Sequence, residues 1–435
     1  MRCTNDGKIE VETSLTTPNS GALTKLRQLI QLLGPGILMA TAAIGGSHLV
    51  ASTQAGAQFG WQLAILIFLV NVLKYPFFRA GVSYTISTRQ TLQEGYAQLG
   101  KGYLLTSFVL NLVAAVVNAA ALLMFAASLL GYFMPVTLSI QVLALIVLAA
   151  SLLILIAGHF AALNNVAKLI MAVLVVATLT ATVLAWQQGP VAPADYVSPS
   201  PWTFATIGFL VVTMGWMPAP IEISGITSLW LKQQCHQQQV TPKSALFDFN
   251  LGYFTTMILA LVFLALGALV LHGNGQTLAT GGIGFSQQLV NLYASTMGEW
   301  SRYLMALIAF LCIFGSAITV YDGYSRALAE SFSLLRGQSS QVPENVFVRW
   351  LIIVAVVSFG IVLFFKSALL AMLSFAMTLA FITTPMFAWL NHKLVKSGNI
   401  KPELQGGVGL SVLTYAGLVY LFGFLAVFIA WKWIL

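Results

Sequence analysis

The sequence predicts an all-α polytopic membrane protein of eleven transmembrane helices, arranged as two inverted five-helix repeats plus one further helix. Three observations predict it. The 435 residues are 58% hydrophobic and only 7% charged, whereas a soluble domain carries about 25% charged residues. The apolar runs reach the ~20 residues that a helical span needs, without the alternating ten-residue segments of a β-barrel. Two of these runs, the first and the sixth, are broken in the middle: Ala43-Ile44-Gly45-Gly46-Ser47-His48 and Trp216-Met217-Pro218-Ala219-Pro220.

The spans are expected at 33–57, 60–82, 103–132, 138–158, 164–186, 202–231, 247–272, 299–333, 346–365, 368–391 and 407–434. Gly and Pro weaken a helix by about 1 and 3 kcal/mol relative to Ala, and in hydrocarbon a freed backbone group must be buried in protein or line a cavity. Corresponding breaks in two halves of a transporter point to its cargo site. A five-helix unit that starts on one side ends on the other, so its copy is inverted, which is the plan of the LeuT fold. The chain therefore divides into a polar tail (1–22), a first repeat (23–190), a second repeat (191–400) and an eleventh helix (401–435).

Basic residues favour cytoplasmic loops. With the N-terminus inside, seventeen of the twenty Lys and Arg residues fall on the inner side, leaving Arg302, Lys366 and Lys432 outside. The expected setting is an inner (plasma) membrane, with a cytoplasmic N-terminus and an outward C-terminus. The net charge of +8 then describes topology and gives no reason to invoke nucleic acid. No cleavable signal pattern is visible. Cys3, Cys235 and Cys312 offer no extracellular disulfide pair.

Four motifs carry a family likeness: Gly34-Pro35-Gly36, Gln54-Ala55-Gly56-Ala57-Gln58-Phe59-Gly60, Tyr75-Pro76-Phe77-Phe78 and Met217-Pro218. On these the chain resembles the Nramp family of proton-coupled divalent-metal transporters over nearly its whole length. The resemblance implies a metal site of Asp-Pro-Gly-Asn in helix 1, Met-Pro-His in helix 6 and often Gln in helix 10. This sequence departs from that site. The metal-binding Asp falls on Gly45 and the Asn on His48, the helix 6 His is Ala219, and Phe375 stands where the Gln is expected. The acidic residues of helix 3 are missing too, since no Asp or Glu lies between Glu94 and Asp195.

A divalent cation needs oxygen ligands, usually carboxylates, to offset its dehydration, and the helix 1 break supplies none. His48 with Met217 suits a soft ion at best. Gly45, Gly46 and Ser47 instead offer backbone N–H groups at the positive end of a half-helix, and Ser47 and His48 add side-chain donors. These residues suit a small anion, with Trp216, Met217, Pro218 and Ala219 as the opposite wall and Phe375 narrowing the pocket. The Gly-Gly-Ser-His break is similar to that of the Nramp-related bicarbonate transporters, which makes bicarbonate the expected cargo, with nitrate, formate and acetate open. The alternative in the same fold is a proton-coupled Mn/Fe-type metal transporter.

Moving an anion inward against the membrane potential costs about 2.3 kcal/mol per 100 mV, so a co-transported cation is expected. Sodium is the expected coupling ion, with a proton as the alternative. The resemblance to LeuT-like folds implies a sodium site between the helix 1 break and helix 8, whose candidate ligands here are the carbonyls near Ala43 and Ile44 and the hydroxyls of Ser316 and Thr319, three residues apart on one helix face. Glu222, an intramembrane carboxylate, is a further cation or proton site, or a structural partner of Lys74. Asp322 and Arg326 at i,i+4 read as an ion pair, and a lone His48 as a hydrogen-bonded core residue is the plainer alternative to a ligand. No cofactor is expected, a monomer suffices, and no paired carboxylates or nucleophile motif suggest an enzyme. A channel or a sensor is the different class, although the short loops hold no signalling domain.

Overall fold

The first span begins with Gly34-Pro35-Gly36, and proline fits a first helical turn because its missing N–H had no partner there. The computed structural model describes residues 34–158, 160–275, 279, 282–365 and 368–433; the expected tail 1–22 and Lys366 lie outside these. In chain order the helices are α1 (Pro35–Ala43), a π-helical turn (Ser47–Ser52), α2 (Thr53–Phe59), α3 (Ala64–Thr88), α4 (Leu92–Leu99), α5 (Lys101–Gly131), α6 (Ile140–Ile156), α7 (Phe160–Gln188), α8 (Ile207–Gly215), α9 (Ile223–Gln237), α10 (Pro242–Val270), α11 (Gly282–Met297), α12 (Ser301–Leu335), α13 (Glu344–Phe365), α14 (Leu369–Ser397) and α15 (Val408–Trp433).

These elements form the expected LeuT-type membrane bundle. The first span is α1, the π turn and α2; the sixth is α8 and α9. Both are interrupted where Gly and Pro cluster, at Ile44–Gly46 and Trp216–Glu222. Eight helical stretches of the described residues are long and apolar enough to cross a membrane, with Ser47–Thr88 running as one of 42 residues. The remaining segments, at α6 and α8, are shorter apolar helices.

Burial ranks the helices. α5 and α12 are sunk in the bundle, two-thirds of their most apolar windows being buried, whereas α15 buries only 17% of its own. α5 carries a run of small side chains, Ala119, Ala120 and Ala121, all fully buried. Small residues let membrane helices approach closely. α15 instead turns Val412, Val419 and Phe422 outward, as a peripheral helix in lipid does.

α10 lies along the whole first span, backbone against backbone. A Cβ on Gly36 would sit 2.3 Å from the Asp248 carbonyl oxygen, and one on Gly252 would sit 2.3 Å from that of Gly36. At the other end a Cβ on Gly56 would lie 2.1 Å from the Leu264 oxygen, and one on Gly267 2.3 Å from that of Thr53. Only glycine permits these approaches. The Asp248 carboxylate accepts the Gly34 and Gly36 N–H groups at 3.1 and 2.7 Å, satisfying orphan donors at the start of α1.

Two helices were not expected. α4 is a short amphipathic helix after the second span, opened by a capping box in which Thr91 and Glu94 satisfy one another's backbone N–H groups. α11 lies in the long 273–298 connection, where Phe285, Leu289, Leu292 and Tyr293 form a buried stripe at helical spacing. The other correction concerns Lys74, one of the seventeen basic residues assigned above to the inner side, which is fully buried in α3 and so carries no weight in that count.

Candidate functional site at the two helix breaks

The breaks of the first and sixth spans face one another across a cavity of ≈ 20 Å³, bordered by Gly46, Ser47, Asn118, Trp216, Ala219 and Tyr324. A space of this size holds about one water-sized body. A larger cavity of ≈ 380 Å³ lies toward the ends of α9 and α12, among Lys232, Arg326 and Glu330.

Gly46 is glycine because of the tryptophan opposite. A Cβ there would lie 2.5 Å from Trp216 Cζ3, so the indole rests on bare backbone. Gly45 has more room, its hypothetical Cβ meeting Ser316 Oγ at 3.4 Å. Beyond them the π turn begins, and a helix start leaves its first N–H groups without intrahelical acceptors.

The cavity wall is a hydrogen-bonded chain that the sequence reading did not anticipate. Trp216 Nε1 donates to Asn118 Oδ1 at 3.2 Å, Asn118 Nδ2 donates to the Tyr324 hydroxyl at 2.8 Å, and that hydroxyl donates to Glu222 Oε1 at 3.1 Å. Asn118 and Tyr324 were missed because a neutral amide and a phenol in apolar helices carry no motif. Their signal was position: Asn118 is a buried amide in an otherwise alanine-rich stretch.

The helix 6 break carries the charge. Lys74 Nζ donates to the carbonyls of Met214 and Gly215, at 2.7 and 3.1 Å, and so closes the negative end of α8. Glu222 stands at the N-cap of α9, where a negative charge is favoured. The two charges act on one another without forming a direct ion pair at bonding distance. Glu222 Oε2 is buried and meets no donor at hydrogen-bonding distance. Asp322 and Arg326 do pair, at 2.8 Å, and the Arg326 guanidinium also covers the Phe347 ring.

His48 turns away from the cavity. Its Nδ1 is 2.6 Å from Ser47 Oγ and its Nε2 is 2.8 Å from the Thr256 carbonyl, with the edge of Phe263 beside it. Of the anion-binding candidates, Gly46, Ser47, Trp216 and Ala219 line the cavity. Gly45 lies behind them against Ser316, and Met217 packs in a separate apolar cluster with Val211 and Phe381. The Pro218 carbonyl reaches Ser47 Oγ at 3.4 Å. Phe375 corrects the expectation: it is 47% exposed and lies tilted beside the Phe365 ring, on the outside of α14. The residue that α14 sets against the break is Leu373, whose Cδ2 is 3.4 Å from a Cβ on Gly46.

At the expected coupling-ion position, the carbonyl facing α12 beside that of Ile44 belongs to Thr41. Ser316 Oγ donates to the Thr41 oxygen at 2.8 Å and Cys312 Sγ to that of Ile44 at 3.1 Å. The Ala43 carbonyl is occupied on another side by Ser47 Oγ at 2.7 Å. Thr319 gives its hydroxyl to Gly315, in its own helix. Ser316 therefore meets the first span and Thr319 does not. Among the described residues no three His, Cys, Asp or Glu side chains cluster as a metal site.

No protein-family model matches the chain. In three dimensions it is similar to a mutant manganese transporter from Eremococcus coleocola, with TM-score 0.69 and 14% identity, covering 96% of this chain and 89% of that one. It is also similar to MhsT in complex with L-phenylalanine (TM-score 0.61, 12% identity, 92% and 98% coverage). A third likeness is to Mhp1, a nucleobase-cation-symport-1 family transporter (TM-score 0.56, 13% identity, 92% and 93% coverage). At such identities the likeness establishes the fold, that of polytopic membrane transporters. In sequence it is 47% identical over 401 residues to "Uncharacterized protein PM0681" of Pasteurella multocida (strain Pm70), spanning 92% of both chains, and it belongs to the same family as that protein.

Proposed function

We propose that this protein is a secondary transporter that takes up a small anion, bicarbonate foremost, by alternating access with sodium as the coupling ion. It would sit in an inner (plasma) membrane with its N-terminus in the cytoplasm, in keeping with the distribution of basic residues. The observation that carries this reading is the chemistry of the cavity. Gly46, Ser47, Asn118, Trp216 and Tyr324 border it, all neutral, and the helix 1 break bears no carboxylate. A dehydrated divalent cation would lack compensating charge there. A small oxyanion would gain the backbone N–H groups that follow the break, together with the Ser47 hydroxyl that borders the cavity.

The ≈ 20 Å³ space is smaller than a planar four-atom anion needs. Binding therefore requires the two breaks to part, with the Trp216 indole, seated on Gly46, as the element to be displaced. The Thr41 and Ile44 carbonyls and the Ser316 hydroxyl are the oxygens open to sodium, once Ser316 turns its lone pairs inward.

The test is uptake into proteoliposomes under an inward sodium gradient, with labelled bicarbonate and Mn²⁺ offered to the same preparation. Sodium-dependent bicarbonate uptake without Mn²⁺ entry is the expected result. Entry of Mn²⁺ alone would overturn the proposal and return the protein to metal transport.

A further inference from the structure

Ser47 Oγ has one hydrogen and more than one acceptor waiting for it. The Ala43 carbonyl lies 2.7 Å away and His48 Nδ1 2.6 Å away, with the Pro218 carbonyl of the other break at 3.4 Å. On the far side of the ring, Nε2 faces the Thr256 carbonyl at 2.8 Å, which has no hydrogen to give, so Nε2 must carry one. With a neutral ring Nδ1 is then bare, and the Ser47 hydrogen serves either Nδ1 or Ala43. With a doubly protonated ring every contact is satisfied: Nε2–H donates to Thr256, Nδ1–H to Ser47 Oγ, and Ser47 O–H to Ala43.

We propose that His48 is a proton-binding site coupled to the cavity, taking up a proton when an anion enters beside Ser47 and releasing it when the anion leaves. The inference rests on the anion reading above. Only the Nδ1–H bond forms and breaks; the proton comes from water on the side of entry and returns to water on the side of release. Protonation turns the Ser47 hydroxyl from the ring to the helix 1 carbonyl, and places a positive charge one residue behind the cavity wall. Burying an imidazolium is unfavourable unless a counter-charge accompanies it, and an anion at the break is that counter-charge. Coupling of this kind is reciprocal, so the anion promotes protonation as much as the proton promotes binding.

Among the described residues no other titratable group acts on the ring. From α10 it faces the Thr256 carbonyl and Phe263. The Tyr253 hydroxyl of that helix is given to Asn71, and Asp248 holds the start of α1. From the helix 6 break, Glu222 is engaged by Tyr324. From α3, Lys74 is engaged by the carbonyls of Met214 and Gly215.

The experiment is ¹⁵N-histidine NMR of the full chain in lipid bilayers, with the His48 signal assigned by its loss in His48→Gln. One series varies pH without bicarbonate, and a second varies it with bicarbonate. The expected result is an Nε2–H ring that becomes doubly protonated on acidification, at higher pH when bicarbonate is present. Ser47→Ala, a second variant that tests the site should His48→Gln fail to fold, is expected to weaken proton binding by about tenfold. A ring that stays neutral in both series across the pH range of the folded protein would overturn the proposal. Titration that bicarbonate leaves unmoved would also overturn the proposal, and sodium-driven bicarbonate uptake by the same preparation then tells whether the cargo reading stands without it.

Discussion

The two helix breaks meet the same physical problem with opposite materials. Each exposes backbone carbonyls and N–H groups inside a membrane bundle, where unsatisfied polar groups are costly. The first break is closed by neutral groups: Ser316, Cys312 and Ser47 donate to the Thr41, Ile44 and Ala43 carbonyls. The second is closed at the end of α8 by Lys74, which donates to its last carbonyls, while Glu222 stands at the start of α9 without capping it, the first N–H groups there turning to backbone carbonyls. The difference teaches where a cargo's charge is met. On the proposed reading, the wall formed by the first break imposes no sign through its side chains and leaves the cargo to the backbone dipoles there, while the ionisable side chains of the second break serve its own backbone and wall.

That contrast can be broken most severely at Lys74. Lys74→Met removes a buried amine and leaves the Met214 and Gly215 carbonyls without their donor, a loss expected to cost about 1–3 kcal/mol for each group left unsatisfied. Thermal unfolding in detergent checks it. If Lys74→Met unfolds like the parent protein, Lys74 is not what closes the second break.

Gly46→Ala is expected next in size. Its Cβ meets the Trp216 ring at 2.5 Å, and overpacking of this kind costs about 1–3 kcal/mol. The readout is a shift in tryptophan emission together with loss of bicarbonate uptake. Gly45→Asp sharpens the comparison differently, since a carboxylate at the neutral break should repel an anion. Bicarbonate uptake is expected to disappear while the protein stays folded; uptake equal to the parent's would show that Gly45 is remote from the cargo.

Smaller effects are expected away from the breaks. α4 is tied to α9 by Glu94 and Lys232 at 2.7 Å. Burial alone would raise the Glu94 carboxyl, but hydrogen bonds from Lys232, Ser340 and the Thr91 N–H outweigh it and hold the group below its usual range. Stability from a depressed carboxyl is present above its unfolded value and lost as pH falls through the folded one. Acid unfolding curves of the parent and Glu94→Gln should therefore differ near neutrality by about 1 kcal/mol or less and converge at low pH. Phe375→Ala, on the outer face of α14, should leave uptake unchanged, and a clear loss would reinstate the residue as part of the pocket.

Much of the fold was legible because it follows from hydropathy and helix breakers. The eleven segments and both interruptions fall where apolar runs and Gly-Pro clusters place them. The short helices α4 and α11 were not legible from hydropathy, since α4 buries its face against other helices and α11 lies in a polar connection rich in Gly and Gln. The site was half legible. Gly46, Ser47, Trp216 and Ala219 line the cavity because the breaks themselves form it. Phe375 failed because a span's helical phase, which sets the face that meets the bundle, cannot be fixed by a single aligned position. Asn118, Tyr324 and the Thr41 carbonyl come from other helices or from backbone, and only their three-dimensional neighbours give them meaning.

The glycine contacts between α10 and the first span have a mechanical consequence. Fastened at Gly36 with Gly252 and again at Gly56 with Gly267, and pinned between them by His48 on Thr256, the first span has α10 as a splint along its length. A splinted rod does not shear along its splint. Any hinging of the two half-helices must then occur away from α10, against α12, where Ser316 and Cys312 make single bonds to the break. On the proposed reading, the parting of the two breaks at Trp216 would then be joined by a second yielding seam, the one that carries the Thr41 and Ile44 oxygens.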